Sequence, residues 1–242
     1  TVPWTLSPKG DLLLLRHGGL WGTGWSLCNI ETNKEIASGD DLDYGFAAAF
    51  SPDQRHLVYS LGDYRLRVLD LETLKTVTLL EAHKWDVQIA RFSPDGRWLA
   101  TGSNDEEVRL WSTESWEEVI SALRGHQSGV ISLEFTEDGK TLISSANDYT
   151  IRFWNLANGQ EMLRIPRVRC LLAYRAPTYI GLPMRSRDGN ALFWQGEEGP
   201  IRSMRLDTLT NIDKEIASQR GMGVVSQATH TQLERHLRPV DR

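Results

Sequence analysis

One phrase returns five times along this chain. A Ser or Thr opens a tight turn, an apolar stretch follows, then a second turn, then a run ending on an apolar residue. The phrase begins at Ser7, Ser51, Ser93, Thr136 and Ser186, in steps of 44, 42, 43 and 50 residues. A second landmark, the apolar residue that closes the run, falls at Cys28, Leu69, Trp111, Trp154 and Met204, in steps of 41, 42, 43 and 50. Two landmarks in step at this period define a repeat architecture. Each unit is a supersecondary element that cannot bury its apolar face alone and must stack on its neighbours. The 242 residues are therefore expected to build one stacked body.

The third repeat shows what the unit is. Val87, Ala90 and Phe92 are apolar with a one-residue slip, which predicts a strand with a bulge near Gln88-Ile89. Ser93-Pro94-Asp95-Gly96 is a turn: proline presets φ, aspartate bonds the backbone ahead, and glycine accepts φ > 0. Trp98 to Thr101 is β-favouring, Asn104-Asp105 makes the next turn, and Glu107 to Trp111 alternates polar and apolar as a half-buried strand does. Trp116 to Ile120 is expected to be an outer strand. The unit is thus a meander of four short antiparallel strands. Repeat two follows it through Phe50, Leu57-Val58-Tyr59 and Arg65 to Asp70, and repeat four through Phe135 and Thr150 to Asn155.

These residues resemble the WD-repeat β-propeller family. The likeness rests on Gly125-His126, Asp105, Asp148, Ser93-Pro94-Asp95-Gly96, Leu110-Trp111-Ser112 and Phe153-Trp154-Asn155. It covers about residues 2 to 216 and is degenerate in repeats one and five; no repeat has the full Trp-Asp pair. The resemblance implies an all-β fold, a propeller of about five four-stranded antiparallel blades. The repeats would span about 1–40, 41–81, 82–124, 125–165 and 166–217, with a tail over 218–242 that is partly helical or disordered. Members of the family commonly need more blades, most often about seven. Here the fifth repeat is expected to supply its own outer strand near Asn211 to Ala217, so no spare strand is left to close a circle. An incomplete ring follows, one with sticky edges that is part of a longer chain, a degenerate product or completed by association.

His126, Asp148, Trp154 and Ser144 or Ser145 have the residue types of a catalytic triad, but the family resemblance implies a structural role. There a His before the first strand, an Asp in the tight turn, a strand Ser or Thr and the Trp share a buried hydrogen-bond network. Spacing agrees: Asp105 and Asp148 each lie six residues before Trp111 and Trp154, and His83 and His126 each lie nine before a Phe. Repeat two has Asp41 at the His position, and repeat five has Glu198 at the Asp position and no matching His, so those blades are expected to lack the network and to be weaker.

The same resemblance places partner contacts on the channel-mouth face. Carried over residue by residue, these are Tyr44, Phe46 and Gly62 from repeat two, Asp86, Gln88 and Asn104 from repeat three, and Gly129, Ile131 and Asn147 from repeat four. Tyr44 and Phe46 either anchor a partner or merely cover the mouth, and Trp85 either stands exposed beside this face or packs under its loop. Aromatic anchors among adaptable polar groups suit a protein or peptide.

Composition excludes little but points the same way. The net charge of −5 carries no nucleic-acid signature. Arg164, Arg167, Arg169, Arg175, Arg185 and Arg187 in repeat five lack the aromatic interleaving of a nucleic-acid groove and read as a solvated loop. His and Cys show no metal-ligand spacing, and no glycine loop suits a phosphate, so no metal or cofactor is expected. No apolar run approaches the roughly 18 residues of a membrane span, and two cysteines are too few for a disulfide framework. The expectation is a cytoplasmic, non-catalytic protein-interaction scaffold. The alternatives are the sensory or regulatory propeller of a larger signalling protein, linked to a kinase or an NTPase, and a propeller hydrolase.

Overall fold

A computed structural model describes residues 1–18, 24–41, 46–166, 184–185, 191–195, 201–206 and 238–239. These residues form five four-stranded antiparallel sheets. The first holds β1 (Val2–Leu6), β2 (Leu12–Arg16), β3 (Trp25–Asn29) and β4 (Lys34–Gly39) in meander order. The second holds β5 (Ala48–Phe50), β6 (His56–Ser60), β7 (Leu66–Asp70) and β8 (Thr76–Leu80). The third holds β9 (Val87–Phe92), β10 (Trp98–Ser103), β11 (Val108–Ser112) and β12 (Glu118–Leu123), and the fourth β13 (Val130–Phe135), β14 (Thr141–Ala146), β15 (Ile151–Asn155) and β16 (Gln160–Ile165). The fifth holds β17 (Met184–Arg185), β18 (Ala191–Gln195), β19 (Ile201–Arg205) and β20 (Arg238–Pro239).

The recurring Ser or Thr is a turn clamp. Ser93 Oγ donates to Asp95 Oδ1 (2.6 Å) and accepts the Trp98 amide (3.0 Å), while Asp95 Oδ1 accepts the Arg97 amide (3.1 Å). Ser51 with Asp53 and Thr136 with Asp138 repeat the pattern at 2.6 and 2.7 Å. The position that needs a left-handed φ holds Gly96 (72°) and Gly139 (65°), but Gln54 (58°) in the second sheet. The Gln54 side chain is put to use there: its amide donates to Asp11 and its carbonyl accepts the Lys9 amide, both at 2.8 Å, tying sheet two to sheet one.

Neighbouring sheets pack face to face through four apolar clusters. Leu14, Trp25 and Leu27 meet Phe50, Leu57, Tyr59 and Leu69. Val58, Leu66 and Val68 meet Val87, Leu99 and Trp111. Val108 and Leu110 meet Leu133, Leu142 and Trp154. Ile143, Ile151 and Phe153 meet Leu192 and Met204. The inner strands β1, β5, β9 and β13 lie side by side. Gly102 is what lets sheets three and four approach: a Cβ there would stand 2.6 Å from Val130 Cγ1 and 3.0 Å from Ile89 Cγ2. No cluster among the described residues joins the fifth sheet to the first, which fits an incomplete ring.

One expectation is sharpened and two change in detail. The bulge falls on Gln88, which is skipped between the pairs Gly102↔Ile89 and Ser103↔Val87, and a matching bulge falls on Ile131. The outer strand of blade three begins at Glu118 because Trp116 takes a left-handed φ of 58° inside the turn. The fourth strand of blade five is Arg238–Pro239, paired with β19, so part of the tail belongs to that sheet. The expected strand over 211–217 and residues 218–237 of the tail lie outside the described residues.

Candidate functional site

Two polar networks hold the loops at the mouth end of the inner strands. In blade four, Trp154 Nε1 donates to Ser144 Oγ (2.8 Å), Ser144 Oγ meets His126 Nε2 (2.7 Å), and His126 Nδ1 meets Asp148 Oδ2 (2.9 Å). Asp148 also accepts the amides of Gln127 and Thr150, both at 2.9 Å. Blade three repeats this through Trp111, Thr101, His83 and Asp105, at 3.1, 2.9 and 3.0 Å. Every donor faces an acceptor when the His proton sits on Nδ1, so the chain runs Trp to hydroxyl to His to carboxylate. Both His side chains are 0% exposed. Ser144 is thus the network hydroxyl, whereas Ser145, equally buried, has no hydrogen-bond partner among the described residues.

The carboxylates report how tightly the loops are held. Burial works to raise the Asp105 carboxyl, but the hydrogen bond from His83 and the amides of Lys84 and Glu107 outweigh it and hold the group at about 2. Asp148 is driven down in the same way, with His126 and the Gln127 amide prevailing over burial. A hydroxyl committed to both the His and a buried Trp is poorly placed to act as a nucleophile on a substrate.

Blade two lacks the network, as its sequence predicts. Asp63 accepts instead from the Arg65 guanidinium, at 2.7 Å from Nε. Asp41, at the His position, serves another purpose: it accepts from Trp25 Nε1 (2.8 Å) and from Arg67, whose guanidinium also reaches Tyr59 OH (3.2 Å). Burial first, then the Asp41 charge, pushes the Tyr59 phenol up to about 12. This cluster welds blade one to blade two; it was missed because its acid comes from a position that the repeat reserves for His. Glu198 in repeat five lies outside the described residues.

The carried-over contact residues divide. Asn104 is exposed, and Gly62, Asp86, Gln88 and Asn147 are half-buried at the loop ends. The Asn147 amide donates to the Gly129 carbonyl (2.9 Å) and that of Asn104 to the Asp86 carbonyl (3.1 Å), so these residues fasten turn to lead-in loop. Phe46 packs: Arg16 lies 5.7 Å from its ring centroid, and its carbonyl accepts from Trp4 Nε1 at 3.3 Å. Gly129 is buried. Ile131 is buried in the cluster with Ile143 and Ile151, because the bulge turns its side chain inward, and it is removed from the contact set. Tyr44 lies outside the described residues, as do Arg167, Arg169, Arg175 and Arg187.

Three aromatic side chains stand out at this end: Trp85 at 61% exposure, Tyr149 at 47% and Tyr64 at 40%. The two tyrosines directly follow Asp148 and Asp63 in equivalent turns, a regularity that sequence alone could have flagged. At the opposite end of the inner strands a cavity of about 400 Å³ opens among Leu6, Phe50, Phe92, Pro94, Arg91 and Glu134. Among the described residues no group of three or more His, Cys, Asp or Glu is arranged to hold a metal. No described helix is long and apolar enough to cross a membrane.

This meander of blades, pinned by Trp–hydroxyl–His–Asp networks, is that of a WD-repeat propeller. The chain carries WD40 repeats: the family model described as "WD domain, G-beta repeat" matches residues 74–112 and 117–155. Each matched unit runs from the outer strand of one blade through three strands of the next, β8 to β11 and β12 to β15. The chain is similar to the serine-threonine kinase receptor-associated protein of Gallus gallus, 29% identical over 106 residues, which are 44% of this chain and 29% of that protein. It is 38% identical over 63 residues to WD repeat-containing protein 36 of Homo sapiens, covering 26% of this chain and 7% of that protein. The matched stretches therefore span less than a third of these relatives' length.

Proposed function

We propose that the chain is a non-catalytic scaffold that binds a protein or peptide with the loop face of its blades. WD40 repeats generally mediate protein–protein interaction, and the networks here suit that use. The observation that carries the reading is the commitment of the His, Asp and hydroxyl groups. They spend their hydrogen bonds on one another, on buried Trp and on loop amides, and so fix the turns that carry Asn104, Trp85 and Tyr149. Rigid loops bind at lower entropic cost than mobile ones. The function is presentation of a preorganised surface, in a cytoplasmic setting.

The test uses peptides selected from a displayed library against the full chain. Gln88→Ala combined with Asn104→Ala is expected to weaken the selected peptides about tenfold, while Val119→Ser on the outer strand β12 leaves them unchanged. The reverse pattern would overturn the loop-face assignment.

A further inference from the structure

The exposed aromatics do not sit in neutral surroundings. Asp63 and Arg65 flank Tyr64, and Arg65 Nη1 lies 3.8 Å from Glu81, at the start of the loop that carries Trp85. The second turn of a blade also meets the lead-in loop of the next, since the Asn104 side chain packs on Gly129. By that repeated geometry the Tyr64 turn abuts the loop bearing Trp85. Across residues 61–65, 81–86 and 103–107 the sequence places Asp63, Glu81, Asp86, Asp105, Glu106 and Glu107 beside Arg65 and Lys84, and Arg109 and Arg124 reach in to pair with Glu107 at 3.2 and 2.9 Å. With Glu107 and Asp63 paired to arginines and Asp105 buried on His83, Glu81, Asp86 and Glu106 leave this lip of blades two and three with a net acidic surface.

An exposed Trp beside exposed acids is a receptor for a cation. The indole face attracts an ammonium or guanidinium, and surrounding carboxylates raise the attraction and steer the encounter. The aromatic residues are also held against local preference. Tyr64 and Tyr149 occupy left-handed positions at φ 68° and 61°, where a Gly or Asn fits with less strain. A rigid aromatic surface of this kind is an anchor at modest entropic cost.

We infer that the acidic lip around Tyr64 and Trp85 takes an extended basic peptide segment. An Arg or Lys side chain lies against Trp85, between Glu81 and Asp86, and the segment runs toward Tyr149. The inference rests on the loop-face reading and names its partner's chemistry.

The probes are fluorescein-labelled peptides of alternating Ala and Ser that carry paired Arg, paired Lys, paired Glu or no charge, measured by anisotropy against the full chain. The Arg and Lys peptides are expected to bind, more weakly as salt rises, and the Glu peptide not to bind. Trp85→Ala should weaken the Arg peptide by roughly three- to thirtyfold, Trp85→Phe by less, and Glu81→Gln with Asp86→Asn should weaken it and flatten its salt dependence. Trp85 is exposed, so an unchanged circular dichroism melt confirms an intact fold. Absence of binding by both basic peptides, equal binding of the uncharged peptide, or indifference to Trp85→Ala overturns the inference. The loop-face reading fails separately, if library-selected peptides ignore Gln88→Ala with Asn104→Ala.

Discussion

Ser144 and Ser145 are adjacent, chemically identical and each 1% exposed, yet they should respond oppositely to loss of their hydroxyls. Ser144→Ala removes the oxygen that accepts from Trp154 Nε1 at 2.8 Å and meets His126 Nε2 at 2.7 Å. Trp154 is 2% exposed and the His126 side chain 0%, so water cannot replace the lost partner without rearrangement. Each stranded group costs about 1–3 kcal/mol, which puts the loss at roughly 2–5 kcal/mol after partial relaxation. Ser145→Ala deletes a buried hydroxyl with no partner among the described residues, so the expected change lies between zero and a stabilisation of about 1 kcal/mol. The assay is urea unfolding by circular dichroism, comparing midpoints. Repeat arrays do not always unfold in one step, so exchange of the Gln127 and Thr150 amides, both bonded to Asp148, gives a local readout. Exchange there should quicken in Ser144→Ala and stay unchanged in Ser145→Ala. Equal losses in the two variants, or a larger loss at Ser145, would refute the reasoning.

Two further outcomes follow from the same packing. Because the Asp105 carboxyl is held at about 2 against an ordinary 3.8, its contribution is complete above pH 4 and is lost as pH falls through 2. Acid titration of stability should therefore show a loss of roughly 2 kcal/mol over that window, which Asp105→Asn flattens while lowering stability at neutral pH. Gly102→Ala would drive a Cβ into Val130 and Ile89, and should cost about 1–3 kcal/mol in the same urea assay, because blades three and four must part to accept it.

The period of the repeat made the fold legible, since strand number, turn chemistry and blade stacking all recur with it. The networks were legible too, because Asp105, Asp148, His83 and His126 keep fixed distances in sequence from Trp and Phe. What escaped depends on contacts that the period does not encode. A bulge changes which way a side chain points, so Ile131 went inward and the network hydroxyl could not be told apart from its neighbour. Asp41 bonds Trp25 and Arg67, at 16 and 26 residues' separation, across a blade boundary. The outer strand of blade five came from residues 238–239, a non-local pairing that no local propensity announces.

The central claim, that these WD-repeat blades bind through their loop ends, is tested most directly by a hydrogen-exchange footprint of the full chain with a selected peptide bound. The account predicts protection of residues 83–88, 103–107 and 146–150, with the outer strands β8, β12 and β16 unchanged. Protection confined to those outer strands, or to the cavity at the opposite end among Leu6, Phe92 and Glu134, would contradict it.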